Sequence, residues 1–223
     1  MSSRPLFVAQ MQELENDLLA MVSRAESMVA KAVDSIIKLD TELAVQVFEN
    51  DDEVDRYDAM IEEKCLRLLA LQQPMASDLR EVSTILKIIT DVERIGDLAV
   101  DLAKITLKID REVGDPTIVD LPVISDKARL MLREAVTAFV KRDVTYFNEI
   151  AGLEDEVDGY YRHIREQLFD YMRQNPSHAV SAAWLVFAVH HIERIADHAV
   201  NIAERVGFMV TGRLGHLKDA PGE

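Results

Sequence analysis

Apolar residues recur along this chain at the spacing of a helix that buries one stripe. Ile85, Ile88, Val92, Ile95, Ala99 and Leu102 follow one another at intervals of three, four, three, four and three. A hundred residues later, Leu185, Ala188, Ile192, Ile195, Ala199, Ile202, Val206 and Met209 keep the same rhythm. That alternation is the seam of a left-handed bundle, whose helices cross at about +20°. The surrounding pattern predicts helices over 6–39, 42–72 and 77–110, then over 123–141, 144–174 and 177–211. Asp40-Thr41 and Pro74 punctuate the first three, and Asp143 and Pro176 stand at the matching breaks of the second. Proline breaks a helix because it lacks an amide hydrogen and disfavours helix in the residue before it.

The two halves match residue by residue. A shift of 103 lays AVDSIIKLD (32–40) on AVTAFVKRD (135–143), and DDEVDRY (51–57) on EDEVDGY (154–160). A shift of 100 lays DVERIGDLAVDLA (91–103) on HIERIADHAVNIA (191–203), with seven identities in thirteen. Order, spacing and identity agree, so the chain is a tandem duplication. The fold class this predicts is all-α, two tandem antiparallel three-helix bundles. The first spans 1–112, a linker containing Pro116 and Pro122 spans 113–122, the second bundle spans 123–211, and 212–223 is a flexible tail.

Composition narrows the functions open to such a fold. The 25 Lys and Arg against 40 Asp and Glu leave a formal charge of −15. A phosphate backbone repels that charge, and so does an anionic lipid surface; nucleic-acid binding and direct membrane insertion are therefore not expected. The opening residues carry Glu13, Glu15 and Asp17 within an apolar pattern, unlike a signal peptide. The uncharged stretch from Asn175 to Ile192 is interrupted by Pro176, Ser177, Ser181 and histidines, and its apolar core is far short of the ~20 residues a span requires. The single Cys65 forms no intrachain disulfide. The expectation is a cytoplasmic protein.

The candidate chemistry lies in acids repeated at helical spacing. Asp51, Asp55, Asp58 and Glu62 form one stripe on the second helix, and Glu93, Asp97 and Asp101 follow on the third. The second half has Glu154 and Asp158, then Glu193 and Asp197, with Asn201 where Asp101 stood. Residues 49–63 hold eight acids and one base, and like charges at i, i+4 cost about 0.2–0.5 kcal/mol per pair. Carboxylates on two facing helices suit hard or borderline divalent cations such as Mg2+, Mn2+, Ca2+ or Fe2+. Two plainer readings stand beside this one: a solvated acidic face, or ion pairs of Asp97 and Asp197 with Arg80, Arg94 or Arg194. Recurrence of the same acids in both halves favours the metal.

The other residues carry less. All six histidines fall in the second half; His198, beside Asp197, is a possible nitrogen ligand but reads better as a surface histidine. Cys65, among Leu66, Leu68 and Leu69, reads as packed. The Glu-x-x-His motif of di-iron bundles is missing, as are a phosphate loop and a nucleophile elbow, so no enzyme is expected. The alternative kept open is a metal-dependent helical-bundle enzyme or a metal-storage protein.

The segment QPMASDLREVSTILKIITDVERIGDLAVDLAK (73–104) resembles the hallmark of the PhoU family of phosphate-specific transport accessory proteins. HHIERIADHAVNIAERV (190–206) resembles the same hallmark repeated, as do the two spaced acidic blocks. The resemblance implies two three-helix bundles whose acid-x-x-x-Asp motifs bind a divalent metal (Fe, Mn, Mg or Zn), singly or in clusters. It also implies a homodimer and a negative regulator of phosphate uptake and phosphate-starvation signalling, linking a Pst-type phosphate ABC transporter to a PhoR-type sensor histidine kinase. Carried over by position, the metal ligands are Asp51, Asp55, Glu93 and Asp97, then Glu154, Asp158, Glu193 and Asp197. Asp101 and Asn201 are the additional contacts the resemblance implies. His191 in place of Asp91 and Asn201 in place of Asp101 set the second site apart.

Overall fold

The computed structural model describes residues 3–109, 115–213 and 215–217. Six long helices carry the fold: α1 (Ser3–Lys38), α2 (Thr41–Gln72), α3 (Ser77–Thr106), α4 (Leu121–Lys141), α5 (Phe147–Gln174) and α6 (Ala179–Thr211). Among the described residues there is no strand. The helices begin and end where the sequence punctuates them. Asp40 caps α2, its carboxylate accepting from the Glu42 and Leu43 amides at 3.0 Å each. Asp143, at the matching position, accepts from the Thr145 amide at 2.9 Å. The residue before each cap, Leu39 and Arg142, turns the chain through a left-handed conformation at φ 51° and 52°. The duplication thus extends to backbone torsions.

Each half is a three-helix bundle, and the predicted seams are its core. Every α3 seam residue from Ile85 to Leu102 is fully buried, and their α6 counterparts are buried as well. Burial of each large apolar side chain stabilises by about 1.5–3 kcal/mol. Near their C-terminal ends α1 and α3 also share a buried polar pair, Ser35 Oγ to Thr106 Oγ1 at 2.7 Å. Ala138 and Val206, both buried, occupy the matching places in the second half.

The halves are joined by α3 lying antiparallel on α6. Arg80 Nε donates to the Met209 carbonyl at 3.1 Å and Thr84 Oγ1 to the Arg205 carbonyl at 3.4 Å. Beside this seam α1 meets α4, where Glu26 takes Arg129 at 3.1 Å and also Arg133. So α1, α3, α4 and α6 form the middle of the molecule, while α2 and α5 are applied to its outer faces.

Some boundaries differ from expectation. α3 closes at Thr106, and α4 opens two residues early because Pro122 is accommodated in its first turn, where no amide is needed. Within the linker, Asp115 caps a short 3-10 turn over Pro116–Ile118; Val113 and Gly114 lie outside the described residues. Two further 3-10 turns, Val144–Tyr146 and Pro176–His178, lead into α5 and α6. Where the sequence predicts a flexible tail, residues 215–217 fold back: Leu217 is buried and its amide donates to Glu204 Oε1 at 3.0 Å. Leu214 and 218–223 lie outside the described residues. Among the described residues no helix is long and apolar enough to cross a membrane.

The glycines give an internal test of packing. A Cβ on Gly207 of α6 would stand 3.0 Å from the buried Phe147 ring, whereas one on Gly159 of α5 would meet nothing within 4 Å. Gly159→Ala is therefore expected to stabilise by about 0.5–1 kcal/mol through helix propensity. Gly207→Ala is expected to destabilise by about 1–3 kcal/mol through overpacking, less that same gain. Chemical denaturation of the two variants checks the opposite signs.

Candidate metal centre

The acids gather where α2 meets α3 and where α5 meets α6. On α2, Val47, Val54, Ile61 and Leu68 are buried at intervals of seven, which carries Asp51, Asp55 and Asp58 along the margins of that face. Gly96 of α3 lets the two backbones approach: its missing Cβ would sit 3.4 Å from Val54 Cγ1 and 3.5 Å from Asp51 Oδ1. In the second half Ala196 supplies a methyl at this point, and the matching acid, Glu154, is one methylene longer.

The fields of these carboxylates cross between helices. Asp51 is raised from its ordinary pKa, first by burial and then by Asp55 and by Asp97 across the gap, with Lys104 opposing. Glu93 is raised by burial and Asp97, then, after the opposing Arg94, by Asp58 and Asp55 on α2. Asp58 is raised by burial, Glu62 and Asp55. In the second half burial and Asp197 raise Glu193, with His190 opposing and Asp158 adding. Burial and Asp158 raise Asp197, against His198, Arg194 and His190. The structure thus brings together Asp51, Asp55, Glu93 and Asp97, and separately Asp158, Glu193 and Asp197. Glu154 is half-buried on α5, one turn before Asp158.

Asp58 belongs to the first group although the ligand set read from the sequence omits it; its place at i+7 from Asp51 was the available signal. Asp101 is drawn aside by Lys104 at 2.9 Å, and its field reaches His191 of α6. His198 is not a surface histidine. Its Nδ1 lies 2.9 Å from Asp91 Oδ1 across the α3–α6 seam, with both side chains less than a fifth exposed. Asn201 Nδ2 donates to the same Asp91 oxygen at 3.3 Å. The ion-pair reading also has substance: Arg94 holds Asp97 at 2.7 Å and Glu93 at 3.3 Å, from a position more than half exposed.

Among the described residues no group of three or more His, Cys, Asp or Glu side chains is placed to hold a metal ion as the side chains stand. The chemistry of the donors, rather than their present placement, is what would suit a divalent cation. The carboxylates are partly withdrawn from water and repel one another across each helix pair. In the second half His190 Nδ1 faces Glu193 Oε2 at 3.4 Å. A cation between the helices would offset that repulsion, and releasing Arg94 from Glu93 and Asp97 would cost about 1 kcal/mol or less.

The PhoU domain family matches this chain twice, over residues 18–106 and 121–206. The chain belongs to the PhoU family. It is 32% identical over 218 residues to the phosphate-specific transport system accessory protein PhoU homolog of Clostridium acetobutylicum, covering 97% of this chain and 100% of that one. It is 31% identical over 207 residues to the phosphate-specific transport system accessory protein PhoU of Escherichia coli, covering 93% and 86%. The crystal structure of PhoU from Pseudomonas aeruginosa superposes with a TM-score of 0.85 at 35% identity, covering 93% of this chain and 100% of that one. The phosphate transport system regulatory protein PhoU from Streptococcus pneumoniae superposes at 0.86 with 27% identity, covering 94% and 99%. Both PhoU domain matches contain one acidic cluster whole.

The raised carboxyls of this PhoU-family chain fix a pH dependence. For Asp51, Asp58, Glu93, Glu193 and Asp197 the folded pKa exceeds the unfolded one. Each opposes folding once ionised, so stability falls as pH rises from the unfolded carboxylate pKa, about 4, through the folded value. His191, lowered chiefly by burial, acts oppositely: its contribution is lost as pH falls through about 6.5 toward its folded value. The metal-free chain is therefore expected to lose stability as pH rises from about 4 and these carboxyls ionise, with His191 opposing only as pH falls below about 6.5. Thermal melts in chelator check this, and saturating divalent metal should remove the loss.

Proposed function

We propose that this chain is a negative regulator of phosphate uptake and phosphate-starvation signalling. It acts as a metal-binding adaptor between a Pst-type phosphate transporter and a PhoR-type sensor histidine kinase. The observation that carries the reading is the pair of PhoU domain matches, each enclosing an acidic cluster formed by two helices. Relatives at about this identity over nearly the whole chain are named accessory proteins of the phosphate-specific transport system, which supports the same role here.

Bound metal supplies positive charge to each cluster. The chain's part is to hold Asp51 and Asp55 on α2 opposite Glu93 and Asp97 on α3, and Glu154 and Asp158 on α5 opposite Glu193 and Asp197 on α6. Closing each outer helix onto the middle layer fixes the surface that α2 and α5 present. An adaptor shifts its partners' equilibrium only by its differential affinity for their states, so a fixed surface is what it must offer. The association of α3 with α6 keeps the two outer faces in one orientation.

Deleting the gene is expected to derepress phosphate-uptake and scavenging genes in phosphate-rich medium, read by transcript levels. Reintroducing the chain with Glu93, Asp97, Glu193 and Asp197 all replaced by alanine should fail to restore repression. Unchanged transcript levels after deletion would overturn the regulatory reading.

A further inference from the structure

The duplication also repeats on the margins of α2 and α5 that meet α1 and α4. Asp17 and Arg24 of α1, with Glu53, Tyr57 and Met60 of α2, line an open recess of about 330 Å³. A shift of 103 lays Asp17 on Asp120, Arg24 on Lys127, Glu53 on Glu156, Tyr57 on Tyr160 and Met60 on His163. Of these, Asp120, Tyr160 and His163 line a second recess, about 550 Å³, between the linker and α5. The contacts recur with the residues. Arg24 Nη1 meets Glu53 Oε2 at 2.5 Å, and Lys127 pairs with Glu156 and stands 5.5 Å from the centre of the Tyr160 ring. No described residue of α3 or α6 lines either recess, so both open away from the acidic clusters.

The two recesses are exchanged by a two-fold axis. Along the α3–α6 seam Arg80 meets Met209, Thr84 meets Arg205 and Asp91 meets His198, an antiparallel register centred near Arg94 and its equivalent Arg194. On the other side Glu26 of α1 meets Arg129 of α4, its own equivalent at a shift of 103. An axis through those two points swaps the halves and leaves one recess on each side of the α1–α4 contact. We propose that this face docks a protein partner that is itself two-fold symmetric and places one arginine in each recess. The residues common to both recesses are two carboxylates, one cation and a tyrosine ring, which leaves a negative charge beside an aromatic face. A guanidinium satisfies both, stacking on the ring and pairing with carboxylate. Arg165 already stands 5.3 Å from the centre of the Tyr161 ring in this way. Asp17 is held by Lys64 at 2.7 Å, whereas position 167 is glutamine and Asp120 makes no side-chain cap to α4, so the second recess offers the freer carboxylate. The chain's charge of −15 attracts a basic surface and raises its rate of encounter. The inference rests on the adaptor reading above and adds to it a face, a symmetry and a charge.

The test titrates the full chain against the Pst-type transporter of the same organism, purified in detergent. Glu53→Arg and Glu156→Arg each put a fixed cation where the partner's would enter. Either alone is expected to weaken binding by about tenfold, and the two together by about a hundredfold, because each recess then loses its share of a two-site contact. Asp52→Arg with Asp155→Arg makes the same change of charge one residue earlier on each helix, and should weaken binding by about threefold or less. Wild-type affinity should fall as salt rises. Melting temperatures equal to the wild type's establish that the variants are folded. Wild-type affinity in the Glu53→Arg, Glu156→Arg double variant, or an equal loss in the Asp52→Arg, Asp155→Arg pair, overturns docking at this face and leaves the adaptor reading standing. A loss confined to one of the two recesses overturns the symmetry. A wild type that does not bind the transporter overturns the adaptor reading together with the docking face.

Discussion

Replacing Glu93 with glutamine and Asp97 with asparagine is expected to move two measurements in opposite directions. Metal held by the first repeat is lost, while the metal-free chain becomes more stable. Both follow from one arrangement. Glu93 and Asp97 stand one turn apart on α3, partly withdrawn from water, facing Asp51, Asp55 and Asp58 on α2. The pair on α3 alone costs about 0.2–0.5 kcal/mol, and the acids across the gap add to it. Amides of the same shape remove the repulsion. Arg94 loses two partners, but it is more than half exposed, and such pairs contribute about 0–1 kcal/mol. With metal present the order reverses, because a ligand at about a hundred times its dissociation constant stabilises the wild type by about 2.7 kcal/mol. Elemental analysis and melts with and without chelator read both effects. Equal metal content in wild type and variant would sink the first-repeat site.

The fold was legible in the sequence because the seams are regular and occur twice. Ile85 to Leu102 and Leu185 to Met209 needed only helical periodicity to be placed in the core, and the caps at Asp40 and Asp143 needed only their chemistry. Periodicity along one helix says nothing about which other helix it meets. The packing of α3 on α6 depends on contacts such as Arg80 with the Met209 carbonyl, separated by more than a hundred residues. Matching by repeat obscured this further, since Asp91 and His198 are partners across the seam but not equivalent positions. For the same reason His198 read as a surface residue. The acidic clusters were legible from spacing, but the standing of their members was not. Asp58 joins them through α2–α3 packing, and Asp101 is diverted to Lys104.

Ile195→Ala is expected to loosen both halves of the molecule together. Ile195 is fully buried in α6, and truncating such a residue costs about 2–5 kcal/mol. α6 packs on α4 and α5 within its own repeat and on α3 of the other. Unfolding the second half alone would therefore uncover the α3 surface that α6 covers and release Arg80, Thr84 and Asp91 from their partners. The chain carries a probe in each half: its single tryptophan, Trp184, is on α6, and its single cysteine, Cys65, is on α2. Cys65 is fully buried, and burial pushes its thiol up to about 12, so it reacts only when the first half opens. If the halves unfold as one unit, a loss of 2 kcal/mol at Ile195 raises the population of open first half, and so the rate of Cys65 labelling, by about thirtyfold. Trp184 fluorescence should melt over the same temperature range. Unchanged Cys65 labelling beside an early Trp184 transition would mean that the repeats unfold separately. In that case the α3–α6 seam would not hold the two outer faces in a fixed orientation, and the adaptor reading would lose its structural basis.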